Sequence, residues 1–356
     1  MNYLSRRCKS ILPYTAGEQP QDKKYVKLNT NECPYPPSPE VEKTIKDFDA
    51  GRLRLYPDPE NAKLVSVIAQ KHGLNCDNVF VGNGSDEVLC MCFPAFFDEN
   101  DAVAYADVTY SFYKVWAHMF GVTSRKIPLD DDFKLLHTDY LGLEGVKGII
   151  VCNPNAPTGT ALSRLDLLNI VESNIDKIVI VDEAYGEFAS CSVANRVNDY
   201  PNLLVVKTLS KAYALAGARC GYALGSKQLI DALKLVKNSM NSYTVNALTE
   251  AVAIAALNDK KYYAGVIDKI NSQREETADA LRALDFEVLP SSSNFIFARH
   301  KVLSGSEIYF QLKENGVLVR HFKGDRISDF VRITIGTADE MKMLVNEIKK
   351  IVRNRN

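Results

Sequence analysis

The chain has 356 residues, 46% hydrophobic and 24% charged, with 43 basic against 44 acidic residues and a formal net charge of −1. That balance, with no basic block, argues against nucleic acid and anionic membrane as partners, and at ~150 residues per domain the length predicts about two domains. Eight cysteines are scattered without a CxxC pair or accompanying histidines, which speaks against a zinc site and a disulfide scaffold and for reduced, cytosolic thiols.

The N-terminal stretch MNYLSRRCKSILPY carries positive charge with no apolar segment behind it, so it does not read as a signal peptide. Residues 1–49 look irregular. Within them 28–39 (LNTNECPYPPSP) carries four prolines and reads as an extended arm, either functional or a plain linker. Tyr56-Pro57-Asp58-Pro59 sets up a helix, with Asp58 as N-cap, Pro59 at the first helical position, Leu64, Val65 and Ile68 on one face, and a stop at Gly73. The most apolar run, 89–97 (LCMCFPAFF), falls far short of the ~20 residues of a membrane span and contains Pro94, so it is core.

From there strands and helices alternate. Val79-Phe80-Val81 reads as a strand, followed by Gly82-Asn83-Gly84-Ser85 and a helix from Asp86. Further strands are predicted at 101–106, 146–152, 177–181, 203–206 and 221–224, with a helix over 162–173. This rhythm predicts a largely parallel sheet flanked by helices, with ligands at the carboxyl ends of the strands. The final third changes character: a helix over about 266–284, a strand at Phe295-Ile296-Phe297, a helix ending near Gly316, strands at 317–320 and 330–335, and a helix opened by the capping box Thr337-x-x-Glu340. It reads as a separate α+β unit.

Several strand ends carry residues suited to chemistry. Lys211, after the buried run Leu203–Val206, is placed for a depressed pKa and nucleophilic reactivity toward carbonyls, with Thr208, Ser210 and Arg219 nearby to suit a phosphate. A Schiff-base lysine beside a phosphate site suggests pyridoxal phosphate (PLP), although most lysines at strand ends are solvated surface residues. Asp182 could pair with a protonated pyridine nitrogen and Tyr185 could donate to a phenolic oxygen; equally, they could be an N-cap and a core tyrosine. Gly82-Asn83-Gly84-Ser85 offers amides and a helix N-terminus to an anion, or is simply a tight turn. Arg332 points off the polar face of its predicted strand and suits a carboxylate or phosphate, as does Arg320 on the neighbouring one; singly each is better explained as a solvated surface arginine.

Their order along the chain is informative. LNTNE…YP, GNGSDE, TYSFY, NPNAPTG, DEAY, TLSKAYALAGAR, SNF and VRITIGT follow one another as in the fold-type-I, class II PLP aminotransferases, and from about Leu12 onward the chain resembles their histidinol-phosphate aminotransferase branch. The resemblance implies an α/β fold: a large PLP-binding domain (50–245) with a mainly parallel seven-stranded sheet flanked by helices, and a small α+β domain built from the N-terminal arm (1–49) and the C-terminal third (246–356). It implies that Lys211 carries the cofactor and shuttles the substrate proton, that Asp182 pairs with the pyridine nitrogen, that Tyr185 reaches the ring oxygen and that Tyr110 stacks on the ring. Gly84, Ser85, Asp86, Thr208, Ser210 and Arg219 would hold the cofactor, with Asn155 beside the ring and Tyr56 arriving from a second subunit of a homodimer. Tyr14 and Asn31 would belong to an arm over the substrate, and Arg320 and Arg332 would bind its anionic groups. No metal is implied. The implied reaction, in the cytoplasm, passes an amino group between glutamate and a small phosphorylated ketone, imidazole acetol phosphate by default; dihydroxyacetone phosphate as substrate, or decarboxylation of a phosphorylated amino acid, are alternatives on the same scaffold.

One position departs from the pattern. The family usually reads PNNPTG, and the asparagine before the second proline donates to the ring oxygen; here it is Ala156, which cannot donate. Tyr185 then acts alone, or Asn155 shifts, or water fills the gap.

Overall fold

A computed structural model describes residues 3–353; Met1 and Asn2, at the head of the charged N-terminal stretch, lie outside the described residues. In chain order the strands are β1 (Val26–Lys27), β2 (Val79–Gly82), β3 (Ala102–Ala106), β4 (Thr123–Ile127), β5 (Gly148–Cys152), β6 (Ile178–Asp182), β7 (Leu203–Thr208), β8 (Gly221–Gly225), β9 (Phe286–Val288), β10 (Phe295–His300), β11 (Val317–Leu318), β12 (Arg320–His321) and β13 (Phe330–Thr334). Seven of them form the central sheet, in the order β2-β8-β7-β6-β5-β3-β4. Strands β3, β4, β5, β6 and β7 pair in parallel, while β8 runs antiparallel to both β7 and β2. The predicted α/β architecture is present, and the sheet is mixed: the connection 209–220 carries the lysine loop instead of a crossover helix, and β8 returns beside β7 in the opposite sense.

Strands β5, β6 and β7 have every residue buried and are apolar but for Asp182, Lys207 and Thr208 at the ends of β6 and β7, the composition of strands covered on both faces. The edge strand β4 (TSRKI) is exposed at four of its five residues, and so carries no apolar signal from which to predict it. The first long helix begins at Ala62, not Pro59. Asp58 still accepts from the amides of Glu60 (3.0 Å) and Ala62 (2.9 Å), but Asn61 intervenes in the left-handed conformation. That helix stops at Gly73 as predicted, with φ at 68°. Most of the apolar run 89–97 lies in the helix Ser85–Phe96 with Leu89, Met91, Cys92 and Phe93 buried; among the described residues no helix is long and apolar enough to cross a membrane.

A second, antiparallel sheet has the order β12-β13-β10-β9. Strand β1 pairs in parallel with β11, Val26 opposite Val317, and the Leu28 carbonyl accepts from Thr334 N (2.9 Å). The start of the arm is thereby fastened to the C-terminal part of the chain. The last helix, Ala338–Arg353, opens on the predicted capping box: Thr337 N donates to Glu340 Oε2 (2.7 Å) and Glu340 N to Thr337 Oγ1 (3.4 Å). It buries Met341, Leu344, Ile348 and Ile351, each contributing ~1.5–3 kcal/mol.

Candidate active site

Strand β7 ends at Thr208, and the chain folds back on itself: Ser210 N donates to Thr208 Oγ1 (3.1 Å), whose hydroxyl donates to Ser210 Oγ (2.9 Å). This holds Lys211 at the carboxyl edge of the sheet. Its Nζ donates to the Thr30 carbonyl of the arm (3.2 Å) and stands 5.9 Å from the centre of the Tyr185 ring. Burial, followed by the Arg332 and Arg219 cations, lowers this amine from 10.5 to about 8 against the opposing pull of Asp86 and Glu32.

Asp182 closes β6 with its carboxylate buried. Tyr113 Oη donates to its Oδ2 (2.6 Å) and Ala184 N to its Oδ1 (3.0 Å). Burial nevertheless raises it from 3.8 to about 6, with Asp86 and Glu183 adding to the rise. Neither its hydrogen-bond donors nor those two charges is a cation, so the carboxylate is an acceptor in want of a positive partner. Next to it Glu183 accepts from Lys207 Nζ (2.8 Å), Ser192 Oγ (2.6 Å) and Val193 N (2.8 Å), which clamps β6 to β7 behind the site.

The anion cradle lies across the same cavity. Gly84, at φ 84°, leads into the helix Ser85–Phe96, whose first-turn amides are free to meet an anion. Arg219 lies over this turn: a Cβ on Gly84 would stand 2.6 Å from its Nη2. Asp86 Oδ2 steadies the guanidinium at 3.5 Å while its Oδ1 accepts from Tyr110 Oη (2.8 Å). Ser85, Asp86, Tyr110, Asp182, Tyr185 and Lys211 share one cavity of about 340 Å³ with Thr208, Ser210, Arg219 and Ala156. PLP fits these residues: a desolvated carboxylate lacking a cation for the pyridine nitrogen, a depressed amine for the aldehyde, and a glycine-backed, arginine-roofed helix end for the phosphate. Gly221, between Gly82 and Thr208 in the sheet, sits under the cradle; a Cβ there would lie 2.2 Å from Ser85 N. Gly221→Ala is therefore expected to weaken cofactor binding roughly 10- to 100-fold, the equivalent of about 1–3 kcal/mol of overpacking, measured by titrating PLP into the cofactor-free protein with the fold checked by circular dichroism.

The arm and the second sheet supply the other wall. Tyr185 Oη accepts from Asn31 Nδ2 (2.8 Å), and burial pushes Tyr185 up to about 12 despite the nearby Arg332 cation. Arg332 donates through Nη2 to the Asn29 carbonyl (2.9 Å) and lies against the rings of Phe295 and Phe322, but its buried Nε has no hydrogen-bond partner. Burial lowers its pKa, and an unpaired guanidinium nitrogen is a place for an anion. Arg320 gives Nη1 to the Ala16 carbonyl (3.0 Å) and Nη2 to that of Thr15 (2.7 Å). Tyr14 stacks on Phe112 at 4.3 Å and lies 6.3 Å from Tyr110.

Of the predicted residues, Gly84, Tyr14, Asn31, Arg320 and Arg332 are not among those lining this cavity, and Asn155 and Tyr56 stand apart from it with other contacts. Asn155 spends both amide protons, on the Val108 carbonyl (2.9 Å) and Thr158 Oγ1 (3.0 Å), and its oxygen accepts from Thr109 Oγ1 (2.7 Å), so it braces the loop. Tyr56 is 81% exposed and stacks on Tyr243 at 4.6 Å. Sequence reasoning missed Tyr113, Thr30 and Thr334. Tyr113 was visible only as the inner face of the helix Phe112–Phe120, with Trp116 and Ala117, and no spacing ties it to Asp182.

Residues 23–348 match the family described as aminotransferase class I and II. The chain is 48% identical to the histidinol-phosphate aminotransferase of Brachyspira hyodysenteriae, with 99% of each chain covered, and 44% identical to that of Clostridium botulinum, with 98% of each covered. In fold it is similar to the histidinol-phosphate aminotransferase from Sinorhizobium meliloti in complex with pyridoxal-5′-phosphate: TM-score 0.91 at 24% identity, covering 100% of this chain and 99% of that one. The L-threonine-O-3-phosphate decarboxylase from Porphyromonas gingivalis shares the fold at TM-score 0.76 and 21% identity, covering 92% of this chain and 99% of that one.

Proposed function

The chain belongs to the aminotransferase class I and II family, and from that premise we propose that it moves an amino group between glutamate and imidazole acetol phosphate, yielding 2-oxoglutarate and histidinol phosphate. Relatives of that name align with it over nearly its whole length. The observation that carries the reading is that a depressed lysine, a cation-seeking carboxylate and an arginine-roofed helix end open onto one cavity. Pyridoxal 5′-phosphate, when bound, supplies an electron sink for negative charge at the substrate α-carbon.

The chain's own residues have these roles. Lys211 Nζ, depressed toward neutrality, takes the α-carbon proton and returns it. Asp182 holds a proton on the ring nitrogen by electrostatic attraction, and Tyr185 donates to the ring oxygen. Ser85, Ser210, Thr208 and Arg219 hold the cofactor phosphate, with Gly84 and Asp86 shaping their turn, and Tyr110 covers the ring. Arg332 takes the substrate carboxylate, and with Arg320 the substrate phosphate, beneath an arm that includes Tyr14 and Asn31. Asn155 serves by bracing its loop.

Leu53, Leu55, Tyr56 and Met240 are exposed, and Tyr56 stacks on Tyr243 at the surface, which supports a homodimer in which Tyr56 reaches the partner's site. The eight cysteines are free thiols, in keeping with a cytoplasmic setting. Division into an arm (1–49), a large domain (50–245) and a small domain (246–356) completes the reading.

Purified holoenzyme given glutamate and imidazole acetol phosphate should form 2-oxoglutarate and histidinol phosphate in equal amounts, faster than with dihydroxyacetone phosphate. Carbon dioxide release from phosphorylated amino acids without transfer would overturn the proposal. Arg332→Ala should raise KM for glutamate by roughly 30-fold or more, the effect of removing one partner of a buried charge pair. Arg332→Lys should recover only part of this, because an ammonium cannot make the two-pronged contact. Steady-state kinetics check both.

A further inference from the structure

Ala156 leaves the ring-oxygen side of the cavity without one hydrogen-bond donor, and its loop offers no replacement. Asn155 has both amide protons committed inside the loop, and Asn153 gives its own to the Leu162 carbonyl (3.3 Å) and Cys191 Sγ (3.1 Å). That leaves Tyr185, and what acts on Tyr185 comes from the arm. Asn31 is 1% exposed and fastened at every polar atom. Its N donates to Thr334 Oγ1 (2.9 Å), its carbonyl accepts from Asn294 Nδ2 (3.0 Å), its Oδ1 accepts from Thr334 Oγ1 (3.0 Å), and its Nδ2 donates to Tyr185 Oη (2.8 Å).

This orientation of the amide follows from proton counting. Thr334 Oγ1 accepts from Asn31 N and gives its one proton to Asn31 Oδ1, so Nδ2 faces the tyrosine; the reversed amide would make that hydroxyl accept twice and leave its proton without an acceptor among the described residues. A phenol that accepts at its oxygen keeps its own proton for another acceptor, and becomes a stronger donor by polarisation.

We propose that Asn31, locked by Thr334, is a positioning residue that turns the Tyr185 proton into the cavity and strengthens it, compensating for the donor missing at Ala156. The Asn31 side chain is thereby turned toward Tyr185 and Thr334 with one amide proton left over, a role beside the substrate-arm one implied by resemblance. The assignment rests on the reading of this cavity as the PLP site. The charged and titratable groups facing Tyr185 are Arg332, Lys211, Asp182, Cys152 and Tyr110; none of the variants below alters them.

The test is the pH titration of the visible absorbance of holoenzyme, whose midpoint reports the proton on the cofactor–lysine link. Donors to the negatively charged ring oxygen weaken its hold on that proton and lower the midpoint. Asn31 lies in the left-handed region, at φ 57°, so Asn31→Gly and Asn31→Asp keep the backbone with little strain. Asn31→Gly should raise the midpoint by about 0.4–1 unit, the span of one ordinary hydrogen bond. Asn31→Asp should raise it further, because a carboxylate captures the Tyr185 proton. Ala156→Asn should lower it, and Asn31→Gly combined with Ala156→Asn should fall back toward wild type. An unmoved or lowered midpoint in both Asn31 variants would overturn the inference, as would a change confined to KM for glutamate. If wild-type protein reconstituted with PLP had no visible chromophore bleached by borohydride, the cofactor reading itself would fall, a distinct result.

Discussion

Lys211→Ala is expected to reduce amine transfer by more than about 10⁴-fold, because the proposed mechanism uses one amine both as the covalent anchor and as the proton carrier. Borohydride treatment with PLP should then leave no mass increase on the peptide containing position 211, while the wild type gains one. A second readout requires no turnover. In the cofactor-free protein the folded-state pKa of this amine is about 8 against 10.5 when unfolded. Between those values the unfolded chain binds the proton more completely, so stability of the wild type rises with pH across that window, by up to roughly 3 kcal/mol. The alanine variant should lose that slope and be the more stable protein at pH 7. Urea denaturation at pH 7, 8.5 and 10 measures it; an unchanged slope would mean that the amine is not held in a desolvated state.

The parts of the site that were legible in the sequence are those where one local signal and one role coincide. Leu203–Thr208 and Ile178–Asp182 announce themselves as strands buried on both faces, and the polar residues at or just past their ends stand where ligands collect in such sheets. Arg332 was legible because strand alternation separates it from Val331 and Ile333, and those two are buried while it is not fully so. What was illegible depends on contacts distant in sequence. Asn31 and Tyr185 are 154 residues apart, and Asn31 and Thr334 are 303 apart. In the string LNTNE either asparagine could equally be turn chemistry. Strand β4 was missed for a different reason: it is an edge whose exposed Thr123, Ser124, Arg125 and Lys126 resemble a loop in composition.

These distant contacts also explain how the site is assembled. Lys211 leans on the Thr30 carbonyl, Tyr185 on Asn31, and Arg332 on the Asn29 carbonyl. Three residues of the arm, 29, 30 and 31, therefore meet Arg332, Lys211 and Tyr185 in turn. The arm is tied to the second sheet through Thr334 and Asn294, so a shift of that sheet on closing over substrate would be felt at all three. Arg320 gives one donor each to the carbonyls of Thr15 and Ala16, so on the proposed reading a substrate phosphate at Arg320 would meet a guanidinium already tied to the arm.

Asp182→Asn separates chemistry from stability, since the two should move in opposite directions. With the ring placed as proposed, removing this charge eliminates a preorganised electrostatic partner of its nitrogen, and transfer should fall by roughly 10²- to 10³-fold, with PLP binding weakened in parallel. In the cofactor-free protein, however, the carboxylate is a burden. Its pKa is about 6 folded against 3.8 unfolded, so the folded state binds the proton more completely between those values, and wild-type stability falls as pH rises through that window, by roughly 3 kcal/mol. The amide keeps an oxygen for Tyr113 or Ala184 and carries no charge to desolvate. The variant should therefore lack the pH slope and, at pH 7, unfold at a higher urea concentration than the wild type when both are cofactor-free. Adding PLP should reverse the order, because only the wild type has a carboxylate for the pyridinium to neutralise. If the asparagine variant were less stable at pH 7 and kept the slope between pH 4 and 6, the buried carboxylate would be a structural anchor and not a poised partner for the ring. Strain of this kind persists where function requires it, and its relief on cofactor binding would give part of the affinity that holds PLP in place.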